Sequence, residues 1–264
     1  MKKTLLIIDP QNDFCDPSGA LYVSGAESDI ARISQLIREK KMEFDEIIVT
    51  LDTHDAMDIA HPAWWVDADG NNPNPFTIIS VDDVTGGKWK PVSSDNQRWA
   101  LEYVNELAVN DRYPLCIWPT HCVAETGGHA IHNDLTIALD EWESENEQSI
   151  VVVNKGESPY TEHYSAVKAD VLIESDSRTD VNKGLINTLL QADEIVVVGE
   201  ALSHCVANTV LDLTEYISGE NFTLITDCAS SVTGFEELSD KFINTFTALG
   251  GKTTCTEDIK NDSN

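Results

Sequence analysis

Glu194-Ile195-Val196-Val197-Val198-Gly199-Glu200-Ala201-Leu202-Ser203-His204-Cys205 is the stretch that decides the fold. Its four branched apolar residues, 195–198, show no polar alternation, so the strand they form is buried on both faces. Gly199 ends the run, and a helical stretch follows near 206–216. The same strand-then-helix unit recurs outward from here. Strands at 4–8, 46–51, 115–118, 149–154 and 222–226 alternate with helices near 28–40, 123–145, 183–191 and 235–249, the first helix opening on Ser28 as a cap. Continuous apolar strands spaced by helices predict an α/β protein. Right-handed crossovers make it a three-layer, doubly wound, Rossmann-like parallel sheet.

One segment breaks this rhythm. Between 67 and 114 stand Gly70-Asn71-Asn72-Pro73-Asn74-Pro75, Gly86-Gly87 and an amphipathic helix around 96–109. Unstructured loops beyond about 12–15 residues are uncommon, so this reads as a structured insertion, such as a lid, within a single domain covering 1–255. Trp64, Trp65, Trp89 and Trp99 either crowd the mouth of a pocket or form a small core of their own. Residues 256–264 are a polar tail expected to fray.

Composition narrows the function. The 264 residues carry 17 Lys+Arg against 46 Asp+Glu, a formal net charge of −29. Nucleic acid and anionic membrane surfaces both require clustered cations, so neither is an expected partner. The excess acid reads as a solvated surface. After Met1-Lys2-Lys3 the apolar run stops at Asp9, short of the ~7–15 residues of a signal core, and no other stretch is long enough to span a bilayer. A cytoplasmic location follows as an expectation. The six cysteines form no Cys-x-x-Cys pair and are expected reduced.

Ligands of open α/β sheets bind beyond the carboxyl ends of the strands. There the strand at 4–8 delivers Asp9, 46–51 delivers Asp52 and His54, 115–118 delivers His121, 149–154 delivers Lys155, and 194–198 leads to Cys205. Cys205 stands where strand becomes helix, a position whose amides favour a thiolate and can hold an oxyanion. A lysine nearby lowers a thiol's pKa, and Asp9 can take the thiol proton and return it to a leaving amine. Each residue alone has a plainer reading: a packed thiol, a surface lysine, a cap for the turn at 11–14. Asp52 and His54 share one face of an extended segment. With His121 and His61 they suit Zn²⁺, Fe²⁺ or Mn²⁺. His129, His132, His163 and His204 receive no role.

Five separated motifs then agree. They are Leu6-Ile7-Ile8-Asp9-Pro10-Gln11-Asn12-Asp13-Phe14 with Gly19 and Leu21; Asp52-Thr53-His54; Trp118-Pro119-Thr120-His121-Cys122-Val123 with Thr126-Gly127; Asn154-Lys155-Gly156 with Tyr164-Ser165; and Val198-Gly199-Glu200-Ala201 leading to His204-Cys205-Val206. From residue 4 to about 250, the insertion apart, the chain resembles the isochorismatase-like cysteine hydrolases, and within them the nicotinamidases. The resemblance implies an Asp9–Lys155–Cys205 triad and a metal, Zn²⁺ before Fe²⁺ or Mn²⁺, on Asp52, His54 and His121. It further implies an oxyanion hole from the Ala201 and Cys205 amides, a ring-binding wall of Phe14 and Trp118, and a cis peptide at Glu200–Ala201. The spacing from His54 to His61 is one residue longer than the family's pattern, which leaves the place of His61 open. Ser203 stands where many members carry Asp.

The implied activity is hydrolysis of nicotinamide to nicotinate and ammonia through a cysteine thioester, with a small-molecule amide as partner and a homo-oligomer as the expected assembly. The alternatives are an amidohydrolase of the same family acting on another small amide or ureide, and a binding member that has lost catalysis. Removal of a vinyl ether needs no thiol nucleophile, which places isochorismatase activity last.

Overall fold

In the computed structural model, which describes residues 1–110 and 112–261, the apolar runs lie side by side in one sheet. Its strands are β1 (Lys3–Ile8), β2 (Glu46–Asp52), β3 (Val151–Lys155), β4 (Glu194–Gly199), β5 (Phe222–Ile225) and β6 (Lys252–Thr254). All pairings are parallel, and the spatial order is β6-β5-β4-β1-β2-β3. This is the doubly wound order: the chain winds outward from β1 to one edge, then returns to start again at β4. The two central strands, β1 and β4, are buried from Leu5 to Ile8 and from Ile195 to Gly199, as their unbroken apolar runs require.

Helices cover the sheet. α1 (Ala26–Lys40) packs on α3 (Asn133–Asn146), and α5 (Ala207–Thr214) on α6 (Glu236–Ala248); α2 (Gln97–Val109), α4 (Lys183–Leu189) and α7 (Thr256–Asn261) are further helices, with single turns at Asn12–Cys15 and Val81–Thr85. Right-handed crossovers winding in opposite directions from the centre place helices on both faces. The α/β architecture expected from the sequence is the one observed.

Four local expectations fail. The run at 115–118 lies outside the main sheet: Leu115–Cys116 pairs antiparallel with Ile78–Ile79 of the insertion. Its place in the sheet order belongs to β3, whose Val151 and Val152 stay exposed because that strand is the edge. β6 escaped notice because Lys-Thr-Thr carries no apolar signal, although it pairs along β5. The helix expected over 123–145 begins only at Asn133. The preceding loop is held to the start of the chain by Asn12 N–H to Ala130 O (2.9 Å), Asp13 N–H to Gly128 O (3.0 Å) and His132 N–H to Pro10 O (2.8 Å). Finally, Gly25 in a left-handed conformation, not Ser28, precedes α1. Part of the tail expected to fray is helical: α7 starts where Asp227 accepts the Thr256 N–H at 2.9 Å, and residues 262–264 lie outside the described ones.

Within 67–114, α2 is present over nearly the span expected. It rests on the segment after β3: Tyr103 OH accepts the Glu162 N–H (3.0 Å), and Trp99 Nε1 donates to Tyr160 O (2.8 Å).

Candidate active site

The sheet reverses its winding between β1 and β4, and the crevice at their carboxyl ends is where side chains from both halves can meet. Gly199 ends β4 with φ 112°, and a Cβ there would meet Ile8 O at 2.1 Å, so only glycine lets the strands lie this close. Asp9 follows β1 with φ 43°, a left-handed conformation that costs an L-residue roughly 1–2 kcal/mol. Thr50 holds it there. Its hydroxyl accepts the Asp9 N–H at 3.0 Å and donates to Asp9 Oδ1.

β3 places Lys155 directly opposite Asp52 of β2. The lysine is 2% exposed. Its Nζ lies 2.9 Å from Asp9 Oδ2, 2.7 Å from Asp52 Oδ1, 3.0 Å from His163 O and 3.5 Å from Cys205 Sγ. The contact to Asp9 Oδ2 is ionic, without an aligned hydrogen bond. Thus Asp9, Lys155 and Cys205, drawn from three strand ends, share one buried cluster.

Burial dominates its electrostatics. It would lower Lys155, but Asp52 and Asp9 hold the ammonium well above its usual range. Burial raises Asp9, opposed by Lys155 and Thr50. Burial also lifts Cys205 well above an ordinary thiol; Lys155 opposes this while Asp9 and Asp52 add to it. Burial thus favours the thiol over the thiolate that a helix start alone would favour. Cys205 lies in the turn Leu202–Val206 that leads into α5. The peptide Glu200–Ala201 is cis, and among the described residues no acceptor takes the Ala201 N–H.

Beside the triad three buried imidazoles converge: His54, His61 and His121, with ring centroids 4.9–5.1 Å apart. Asp52 Oδ2 lies 3.0 Å from His54 Nε2 and 3.4 Å from His121 Nε2. Asp58 Oδ2 meets His54 Nδ1 at 3.0 Å, and Pro119 O meets His121 Nδ1 at 2.8 Å. These partners leave both Nε2 atoms directed at Asp52, the arrangement by which outer hydrogen bonds orient metal-bound histidines. Burial and the neighbouring imidazoles hold His61 neutral, down to about 2, and its Nδ1 has no aligned partner. The longer spacing after His54 thus still brings His61 into the cluster. His121 arrives although its strand is outside the sheet, because His54 N–H bonds Cys122 O at 3.0 Å and Ala124 N–H bonds His54 O at 3.0 Å. Three convergent imidazoles beside a carboxylate are a donor set that fits a divalent transition metal.

A narrow cleft opens over Cys205, lined by Phe14, Leu21, Trp118, His121, Tyr164 and His204 among others. Phe14 stands edge-on to His121 (5.4 Å), and Trp118 edge-on to His204 (5.1 Å). None of Trp64, Trp65, Trp89 and Trp99 lines it. From the insertion, Phe76 stands edge-on to Trp118 at 5.8 Å, and Tyr113 packs against Tyr164 (5.8 Å) and His204 (5.4 Å).

No family model matches the chain. The nicotinamidase of Saccharomyces cerevisiae is 27% identical over 239 residues, 90% of this chain and 93% of that one. Among solved structures, the nicotinamidase/pyrazinamidase of Acinetobacter baumanii is 22% identical with a TM-score of 0.67, covering 98% of both chains. The pyrazinamidase of Pyrococcus horikoshii, solved in complex with zinc, is 19% identical with a TM-score of 0.54, covering 97% of this chain and 99% of that one. This chain is similar to nicotinamidases and has their fold.

Several site residues carried no signal in the sequence. Thr50 reads as one more β-branched strand residue. Gln11 pins the Asp52 backbone through both amide atoms, accepting its N–H (2.7 Å) and donating to its carbonyl (2.8 Å). His204 stays neutral through burial, down to about 3, and walls the cavity. Ser203 Oγ accepts the Val232 N–H (3.1 Å) and hydrogen-bonds His204 Nδ1 at 2.8 Å. Glu162 lines the cavity with its carboxyl pushed up to about 8 by burial.

Proposed function

We propose that this protein is an amidase of the nicotinamidase type, hydrolysing nicotinamide to nicotinate and ammonia through a thioester on Cys205. The observation that carries the reading is the single ammonium of Lys155, 2.9 Å from Asp9 and 3.5 Å from the Cys205 sulfur beneath an aromatic-walled cavity. The cleft's aromatic walls, Phe14 and Trp118, suit one planar ring carrying a carboxamide.

The amide carbonyl lies over Cys205 with its ring between Phe14 and Trp118. Asp9 removes the thiol proton, and Lys155 stabilises the sulfur's charge. The sulfur bonds to the carbonyl carbon, and the carbonyl electron pair moves to oxygen, which meets the N–H groups of Ala201 and Cys205. Collapse expels the amine, Asp9 returns the proton, and ammonia leaves. Water, losing a proton to Asp9, then attacks the thioester. The C–S bond breaks, nicotinate forms, and the sulfur recovers its proton. Asp52, His54, His61 and His121 would hold a divalent metal, Zn²⁺ before Fe²⁺ or Mn²⁺, which when bound supplies a Lewis acid to receive the substrate's ring nitrogen.

Cys205→Ala tests the reading. Ammonia release from nicotinamide falls at least about a thousandfold, while a substrate panel on the wild type shows preference for pyridine carboxamides. Release persisting near the wild-type rate in the variant removes Cys205 as nucleophile. Activity confined to non-pyridine amides or ureides moves the assignment to another substrate.

A further inference from the structure

Behind the reactive loop lies a second pair of carboxyls that the reaction does not use. Glu200, next to Ala201, is 0% exposed and does not line the cavity. Its Oε2 accepts the Ser230 N–H at 3.1 Å. Its Oε1 is closed to solvent with no donor among the described residues, and its polar neighbour is the Asp29 carboxyl of α1. Asp29 is already served by donors, Arg32 Nη2 on Oδ1 at 2.6 Å and the Ser230 hydroxyl on Oδ2. Two carboxylates cannot share a hydrogen bond unless one carries a proton. Both Asp29 oxygens already accept from donors while Glu200 Oε1 has none, so the proton belongs to Glu200.

We propose that Glu200 is a positioning residue: as a neutral acid it donates through Oε1 to Asp29, accepts through Oε2 from Ser230, and so holds the loop of Ala201 and Cys205 against α1. The surroundings agree. Burial first, then Asp29, lifts Glu200 well above the usual carboxylate range, and only Ser230 N–H and Arg32 oppose this. Cys15 and Cys228 also face the pair, and neither is cationic. The same strand-end segment grips the loop twice more, with Leu202 N–H on Ser230 O at 2.7 Å and Val232 N–H on Ser203 Oγ at 3.1 Å. Ala201, with only a methyl group, cannot fix its own N–H; its neighbours on either side do so. At Gly25 a Cβ would lie 2.9 Å from Ser230 Oγ, so the start of α1 presses directly on this clamp.

The effect on turnover rests on Ala201 and Cys205 being the reactive loop; the proton on Glu200 does not. The test uses the metal-loaded wild type with Glu200→Gln and Glu200→Ala. Glutamine keeps both bonds, its N–H toward Asp29 and its carbonyl toward Ser230, so kcat for nicotinamide stays within about threefold. Alanine releases the loop and lowers kcat about ten- to a hundredfold with KM nearly unchanged. The infrared spectrum of the wild type minus that of Glu200→Gln contains the C=O band of a protonated carboxylic acid. Equal impairment of the two variants overturns the positioning role, and absence of the band overturns the proton. If Glu200→Ala does not fold, the glutamine variant's kcat and the infrared difference still decide. A wild type inactive on nicotinamide but showing the band refutes the proposed reaction and leaves the carboxyl pair standing.

Discussion

Thr50→Val removes one oxygen and almost no volume, yet it strips Asp9 of two bonds. In the wild type the hydroxyl accepts the Asp9 N–H and donates to Asp9 Oδ1, in a site where both residues are 0% exposed. Valine leaves an amide and a carboxylate oxygen unpaired where water cannot reach. A buried unsatisfied group costs about 1–3 kcal/mol, and for a chain of this size each kcal/mol lowers Tm by about 2–4 °C. The loss depends on pH. Asp9 is already raised above its ordinary value, and Thr50 is one of the groups opposing that rise. Its removal lifts Asp9 further, by roughly one to two pH units for a hydrogen bond to a charged group. A group whose folded pKa is raised supplies stability below its unfolded pKa and loses it as pH rises through the folded one. The Tm deficit of the variant is therefore larger at pH 7 than near pH 4. Asp9 must be ionised to take the thiol proton, so the acid limb of kcat/KM moves to higher pH. Ammonia release measured across pH, with thermal unfolding on the same samples, reads both. An acid limb that stays in place or moves to lower pH while Tm falls would refute the role given to Asp9.

Two other perturbations follow from the same cluster and its surroundings. Asp58 orients His54 through a 3.0 Å contact to Nδ1, so Asp58→Asn weakens Zn²⁺ affinity about 10–100-fold in competition with a chromophoric chelator, and chelation lowers Tm as well as activity; an unchanged affinity removes Asp58 from the site. Asp170 is pushed up to about 7 by burial, with Arg112 opposing and Asp212 reinforcing the shift. Its contribution to stability is present below about pH 4 and lost as pH rises through about 7, so the Tm of Asp170→Asn gains on the wild type across that interval; parallel Tm curves would contradict the shift.

Legibility followed the physics of each signal. β1, β2 and β4 could be read because burial on both faces forces unbroken apolar runs, and the reactive residues could be read because a parallel sheet must deliver them at strand ends. What escaped depends on pairing rather than pattern. The apolar run at 115–118 satisfies any edge, and the insertion's Ile78–Ile79 captured it. Lys252–Thr254 became a strand through pairing with β5 alone. Thr50, Ser203 and Glu200 act through hydrogen bonds across 29–41 residues of sequence, and nothing local marks a threonine or serine as a partner. The state of the thiol is non-local in the same way: a helix start favours a thiolate, but burial beside Asp9 and Asp52 outweighs it.

Asp52 makes the triad and the imidazole cluster one electrostatic unit. Its Oδ1 holds Lys155, while its Oδ2 faces His54 and His121. Burial would lower His54, but Asp52 and Asp58 together hold it protonated. A divalent ion held by His54, His61 and His121 would take the place of the His54 proton and add positive charge beside Asp52. On the proposed reaction, passing the proton from Cys205 to Asp9 changes no net charge; it shifts the negative charge from oxygen to sulfur, with Lys155 in contact with both. The work of making a thiolate in a buried site would thereby be reduced to moving charge between two neighbours of one ammonium, which is how a thiol raised by burial would serve as the nucleophile.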